Sequence, residues 1–346
     1  MLPDMLDFCK AARVRNASDI HITVESPPLV RVHGELVRMD FPPLSPKDTD
    51  ELLMSVCPPE KLDKFRSAGQ VDFSYSVAGV GRFRVNAFRQ RGSTAFVVRV
   101  LRSEIPRLED LGLPQAVGEM AKKRNGLVLV TGATGSGKSS TLAAIVNRIN
   151  ATVAGHVISL EDPVEFLHKH QKCIVNQREI GNDTASFADG IRAALREDPD
   201  VIVLGELRDL ETATTALSAA ETGHLVLATI HASRVTLAVN RLVDLFPLAY
   251  QQQVRVQLSD VIEGIVAQQL LPRAGGPGRV VACEVLVATP DVRAAIREGD
   301  SKRLYESMRN GGDGMMTMGQ SLAVLYAGGA ISSEEYRAHG AQAPGL

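Results

Sequence analysis

The stretch Gly132-Ala-Thr-Gly-Ser-Gly-Lys138-Ser139 fits the pattern G-x-x-x-x-G-K-[ST] at every fixed position. It follows an apolar run at residues 127–130 that reads as a strand, and it opens a segment that reads as a helix. Glycines at these positions let the backbone curl so that several N–H groups converge on phosphate oxygens, and the helix N-terminus adds its dipole. Lys138 can then neutralise the β- and γ-phosphates, and Ser139 can ligate Mg²⁺. The expected cradle is Gly132, Ala133, Thr134, Gly135, Ser136, Gly137, Lys138, Ser139 and Ser140.

Further apolar runs occupy residues 156–160, 201–204 and 225–230, separated by helical patterns. In residues 184–197, Phe187, Ile191, Ala194 and Leu195 share one stripe and Pro199 ends the run. Short apolar runs between helices predict parallel strands buried on both faces, an α/β fold. Two acidic segments accompany the ends of such strands: Ile158-Ser-Leu-Glu161-Asp162-Pro-Val-Glu165, and Asp198-Pro-Asp200-Val-Ile-Val-Leu-Gly-Glu206-Leu-Arg208-Asp209. Ligands of open parallel sheets bind at the carboxyl ends of strands, so both compete for one crevice. Glu206, directly after a buried strand, suits the metal side. Asp198 and Asp200 precede that strand and read as loop or capping residues. In Thr222-Gly-His224-Leu-Val-Leu-Ala-Thr229-Ile-His231, His231 closes a strand, where it is either structural or a sensor of the γ-phosphate. No H-x-E…P-C-x-x-C or H-E-x-x-H occurs, so a catalytic zinc is not indicated.

The composition narrows the classes. A length of 346 residues suggests about two domains. The 38 basic and 40 acidic side chains nearly cancel, and Trp is absent, so neither a bulk basic field nor an aromatic platform for nucleic acid is present. Cys9, Cys57, Cys173 and Cys283 form no C-x-x-C pair, which fits a reduced, cytoplasmic protein better than a disulfide or four-thiolate zinc scaffold. The acidic start lacks the basic and apolar regions of a signal peptide, and no apolar run approaches ~20 residues, so no integral membrane segment is expected.

Residues 1–104 differ in style. Leu29-Val-Arg-Val-His and Gly81-Arg-Phe-Arg-Val-Asn alternate as half-buried strands do, and residues 5–15 and 46–56 read as amphipathic helices. A small α+β domain is expected there, then a Pro-bracketed linker at 105–114 and a second domain at 115–346, mostly helical from about residue 250. Residues 82–102 hold Arg82, Arg84, Arg89, Arg91, Arg99 and Arg102 and no acid. Such a run lines a polyphosphate supplied by another domain or subunit, binds nucleic acid, or forms a solvated strand face.

The order of phosphate loop, Glu-Asp-Pro-Val-Glu, Asp-Pro-Asp-x₅-Glu-x-Arg-Asp and Thr-Gly-His…His resembles the Walker A, Asp, Walker B and His boxes of the type II/type IV secretion ATPase superfamily. Within it the chain is most similar to the pilus-retraction ATPases of twitching motility, from Ala17-Ser-Asp-Ile-His-Ile to the last thirty residues. The resemblance implies a PAS-like N-terminal domain on a RecA-like ATPase domain, ATP and Mg²⁺, and a homohexamer working on an inner-membrane pilus platform protein at the cytoplasmic face, with a paralogous retraction ATPase as a further partner. It implies Glu165 as general base, Lys138 and Ser139 on phosphate and Mg²⁺, Glu206 as the metal-side acid, His224 and His231 as the His-box pair, and Arg84 and Arg99 as arginines reaching nucleotide in the closed ring. Retraction ATPases also carry Ala-Ile-Arg-Asn-Leu-Ile-Arg-Glu, to which Asp291-Val-Arg293-Ala-Ala-Ile296-Arg297-Glu298 is similar, keeping both arginines. The extension and export relatives usually add an N-terminal region and a four-cysteine zinc insert within the ATPase domain, and a chain of 346 residues with four scattered cysteines has room for neither. A RecA-like nucleic-acid motor is the reading from another class, and the near-neutral charge counts against it.

Overall fold

The computed structural model describes residues 4–32, 34–77, 79–101, 104–310 and 312–340. Residues 1–3 of the acidic start and Arg102 of the arginine run lie outside the described residues. The chain divides into two compact units, residues 1–104 with 165–167, and residues 105–164 with 168–346.

In the first unit the elements are α1 (Met5–Val14), β1 (Asp19–Ile22), β2 (Leu29–Val32), β3 (Glu35–Arg38), α2 (Pro46–Val56), α3 (Pro59–Ala68), β4 (Gln70–Val77), β5 (Gly81–Gln90) and β6 (Ser93–Val100). The strands pair antiparallel in the order β3-β2-β1-β6-β5-β4. Period-two alternation decides which side is wet: β5 buries Phe83, Val85 and Ala87, which leaves Arg82, Arg84 and Asn86 on the other face. The buried side chains join Phe8 of α1 and Leu53 of α2 in one core. Helix α2 begins where the sequence supplies a stop and a cap. Ser45 Oγ accepts from the Asp48 amide and the Asp48 carboxylate accepts from the Ser45 amide, with Pro46 at the first helical position.

The second unit follows with α4 (Gln115–Met120), β7 (Gly126–Thr131), α5 (Lys138–Thr152), β8 (Gly155–Glu161), β9 (Cys173–Glu179), α6 (Phe187–Ala194), β10 (Val201–Leu204), α7 (Leu210–Glu221), β11 (Leu225–Ile230), α8 (Val235–Asp244) and α9 (Leu248–Val261). It continues with β12 (Ile262–Pro272), β13 (Arg279–Val287), α10 (Pro290–Glu298), α11 (Ser301–Arg309), α12 (Met318–Ala327) and α13 (Ser333–Gly340). The sheet order is β13-β12-β7-β11-β10-β8-β9, parallel throughout except for the edge strand β13. Alternate residues of the central strands feed two different cores. Leu127 and Leu129 of β7 join Ile202 and Leu204 of β10 under α6–α10, whereas Val128 and Val130 join Val201 and Val203 under α4 and α5. That two-sided burial explains why these strands are uninterrupted apolar runs.

The expected α/β fold with a parallel ATPase-type sheet is present. Residues 105–114, read as a linker, carry a single 3₁₀ turn at Leu108–Leu111, and Leu108 is buried in the core of the second unit. The region from about 250 was expected to be mostly helical, but residues 262–287 form the hairpin of β12 and β13. A continuous apolar run such as Ile265-Val-Ala is equally compatible with a buried helix, and only the partnering with β7 makes it a strand.

Leu227, fully buried in β11, should cost about 2–5 kcal/mol when replaced by Ala. Val324→Ala, on a side chain 63% exposed, should change stability by less than about 0.5 kcal/mol. Urea denaturation followed by circular dichroism measures both.

Candidate nucleotide-binding site

Strand β7 ends at Thr131 and helix α5 starts at Lys138, so the turn between them must be made in six residues. Two of its glycines are required by geometry. Gly132 has φ +146°, and a Cβ there would stand 2.4 Å from both the Gln268 carbonyl oxygen and Ser136 Oγ. Gly137 has φ +91° and is the N-cap of α5. Ala133, Thr134 and Gly135 form the exposed arc of the loop, while Ser136 and Lys138 are buried. Lys138 Nζ donates to the carbonyls of Gly132 and Ala133, both at 3.0 Å, so the ammonium lies inside the curl. Ser139 and Ser140 follow it in the first turn of α5, half-buried.

Strands β10 and β11 end beside β7 because all three run parallel. Glu206, two residues past β10, therefore meets His231, the first residue past β11: His231 Nε2 is 3.2 Å from Glu206 Oε1. The other ring nitrogen, Nδ1, makes a long 3.5 Å contact with Lys138 Nζ. A carboxylate only accepts and an ammonium only donates, so an imidazole carrying its hydrogen on Nε2 satisfies both. The second Glu206 oxygen accepts from Arg208 at 2.7 Å. Beside this cluster the Thr131 hydroxyl donates to the Ala232 carbonyl at 2.7 Å and accepts from the Ala232 amide at 2.8 Å, locking the His231 loop to the end of β7.

Other residues singled out in the sequence fall elsewhere. His224 is not brought to the cluster. It precedes β11 at the amino end, about 20 Å along the strand from His231. Its Nδ1 lies 3.1 Å from the Ala219 carbonyl, in the last turn of α7, where it caps that helix. Asp200 accepts from the His156 amide at 2.8 Å and Asp198 takes φ +54°, which are the loop roles expected. Glu161 accepts from Ser159 Oγ and Gln177 Nε2 at 2.7 and 3.0 Å. Glu165 is exposed, beyond the end of β8. In the first unit, Arg84 and Arg99 are direct cross-strand partners on β5 and β6. Arg84 Nε is 3.7 Å from Asp72, Arg99 Nε is 3.1 Å from Asp19, and the side chains are 44% and 66% exposed.

The donor set fits a nucleoside triphosphate with Mg²⁺. A glycine-lined curl that a Cβ would fill suits phosphate, and the hydroxyl of Ser139 and the carboxylate of Glu206 are hard oxygen ligands of the kind Mg²⁺ takes. The family model for type II/IV secretion system proteins matches residues 5–336. The chain belongs to the type II/IV secretion system protein family. It is 42% identical to the type IV pilus retraction ATPase PilT of Pseudomonas aeruginosa, over 96% of this chain and 97% of that one. It is 41% identical to the type IV pilus ATPase PilU of the same organism, over 96% of this chain and 88% of the relative. A crystal structure of the pilus retraction motor PilT with bound ADP superposes with a TM-score of 0.91 at 49% identity, covering 97% of this chain and 96% of that one. The chain is thus an ATPase.

Three residues around this cluster carried little signal in the sequence. Thr131 reads as the end of an apolar strand, and Arg208 as one more charge in an acidic segment. Glu284, on β13, is 2% exposed and accepts from the Val235 amide at 2.8 Å, capping α8 just beyond the His231 loop. Burial pushes its carboxyl above the usual range, against the hydrogen bonds and the nearby Arg234 that lower it. The retraction-type segment also has a visible role. Arg293 donates to the carbonyls of Ser259 and Asp260 at the end of α9, and pairs with Glu263 at 2.6 Å. Asp291, which stands where the signature has alanine, accepts from Arg303 Nε at 2.9 Å and Ser307 Oγ at 2.6 Å, tying α10 to α11.

Gly132→Ala should abolish measurable ADP binding by isothermal calorimetry. Positive φ and backbone contact at 2.4 Å leave the methyl no place without reshaping the loop. Nucleotide affinity within about twofold of the parent would refute this account of the cradle.

Proposed function

We propose that this chain is the motor subunit of a hexameric ring that retracts a type IV pilus, at the cytoplasmic face of the inner membrane. The observation that carries the proposal is the Lys138–His231–Glu206 cluster at the phosphate loop, in a chain similar to a retraction ATPase over nearly its whole length. In this reading Gly132 to Ser140 bind the phosphates, and Ser139 and Glu206 hold Mg²⁺, which when bound supplies charge neutralisation on the transferring phosphoryl group. Lys138 neutralises charge at the same place, because phosphoryl transfer needs positioning and electrostatics rather than covalent help. His231, hydrogen-bonded to the metal-side carboxylate, registers the state of the phosphates and passes it to Glu206. Glu165 is the general base for water. Arg84 and Arg99, on the wet face of their sheet, are offered to a neighbouring subunit's nucleotide, with residues 1–104 as the PAS-like domain that carries them. The ring works on an inner-membrane platform protein, with a paralogous ATPase as a further partner. Among the described residues no helix is long and apolar enough to cross a membrane.

Deletion of the gene with complementation by Lys138→Ala tests the direction of the motor. Surface pili retained without retraction support the proposal, and loss of all pili would transfer the chain to assembly. Glu165→Gln should lower kcat at least about a hundredfold while leaving ADP affinity intact, as removal of a general base does. Parental turnover in that variant removes Glu165 from the base role.

A further inference from the structure

Strand β12 runs beside β7 only as far as Ala267, which pairs with Thr131. There β7 turns away into the phosphate loop, while β12 continues to Pro272 with β13 on its other side. Gln268 is the first residue past the end of the β7 ladder. Its side chain is 4% exposed, in a strand otherwise apolar through Ile265-Val-Ala. Its Nε2 donates to the carbonyl of Ser136, inside the phosphate loop, at 2.8 Å. Its main-chain oxygen is the atom that a Cβ on Gly132 would strike, and its Nε2 would lie 3.0 Å from a Cβ on Gly137. One residue thus touches both ends of the turn.

A buried amide is costly unless its hydrogen bonds are made. Gln268 makes only part of them: among the described residues Oε1 is buried without a partner, and so is Ser136 Oγ. For packing alone, Leu or Met would serve better at this position. What the glutamine provides, and an apolar residue cannot, is a donor that holds the Ser136 carbonyl toward the sheet. Peptide geometry couples the two ends of that unit, so fixing the Ser136 carbonyl also fixes the direction of the Gly137 N–H.

We propose that Gln268 is a positioning residue for nucleotide binding: its amide takes over from the sheet ladder where β7 ends and holds the phosphate loop in its phosphate-binding curl. It acts through Ser136 and touches no reacting atom. An anchor of this kind serves ground state and transition state alike, so its loss raises KM and leaves kcat nearly unchanged.

The test is Gln268→Met, close in length and without the donor, in the full-length protein. Three readouts are taken: steady-state ATPase kinetics, calorimetric affinity for ADP with Mg²⁺, and the thermal midpoint. KM for ATP and Kd for ADP should both rise about tenfold, with kcat within about twofold, as for one lost hydrogen bond at a binding loop. The thermal midpoint should hold or rise, because an incompletely bonded amide has been replaced by an apolar side chain. Gln268→Glu, which sets an acceptor against the Ser136 carbonyl, should weaken ADP further. Unchanged KM and Kd in folded Gln268→Met would overturn the proposal. So would a lowered midpoint with kcat reduced at saturating ATP and affinity intact, which is the pattern of a merely structural residue.

Discussion

The chemistry of this chain depends on how β7 hands over to α5. The strand is buried on both faces between two hydrophobic cores and cannot shift. The helix begins after a turn of six residues. Only a backbone able to take positive φ at Gly132 and Gly137 can close that gap. Once it does, the Lys138 ammonium falls inside the curl, donating to the carbonyls of Gly132 and Ala133. A rigid sheet on both sides then makes the loop a preformed anion site rather than a flexible turn.

Strand direction selects what joins that site. Parallel neighbours deliver the residues after their carboxyl ends to one edge, and those residues are Glu206 after β10 and His231 after β11. The same polarity carries His224 to the far edge, where α7 needs a C-terminal cap. Attachments then hold the His231 loop from two sides, through the Thr131 hydroxyl on β7 and the Glu284 carboxylate on β13. Strand β13 thus reaches the edge that carries the phosphate loop.

Much of this was legible beforehand, for identifiable reasons. The runs at 127–130, 156–160, 201–204 and 225–230 became strands because continuous apolar stretches between loops have few other uses in a chain of this kind. The hairpin of β12 and β13 was not legible. Ile265-Val-Ala-Gln-Gln-Leu-Leu is short and apolar without a period that separates helix from strand, and its identity comes from pairing with β7. Gln268 was hidden for the same reason, since a glutamine in an apolar run has no meaning until the phosphate loop is seen beside it. The retraction-type segment was recognised by its arginines, yet their partners, the last carbonyls of α9, lie more than thirty positions away in sequence.

By itself the sequence determined the local conformations: a phosphate-binding turn, the lysine and serine that follow it, capped helices and alternating or uninterrupted strands. These depend on the dihedral limits and hydrogen bonds of a few adjacent residues, which any stretch carries with it. Tertiary structure alone decided which distant residues meet. Glu206 meets His231, His224 lies at the opposite end of β11, and Arg84 faces Arg99 across fifteen positions of chain. Such meetings follow from strand order, direction and register, and those are set by burying both faces of one sheet and one face of the other, a property of the whole chain rather than of any segment.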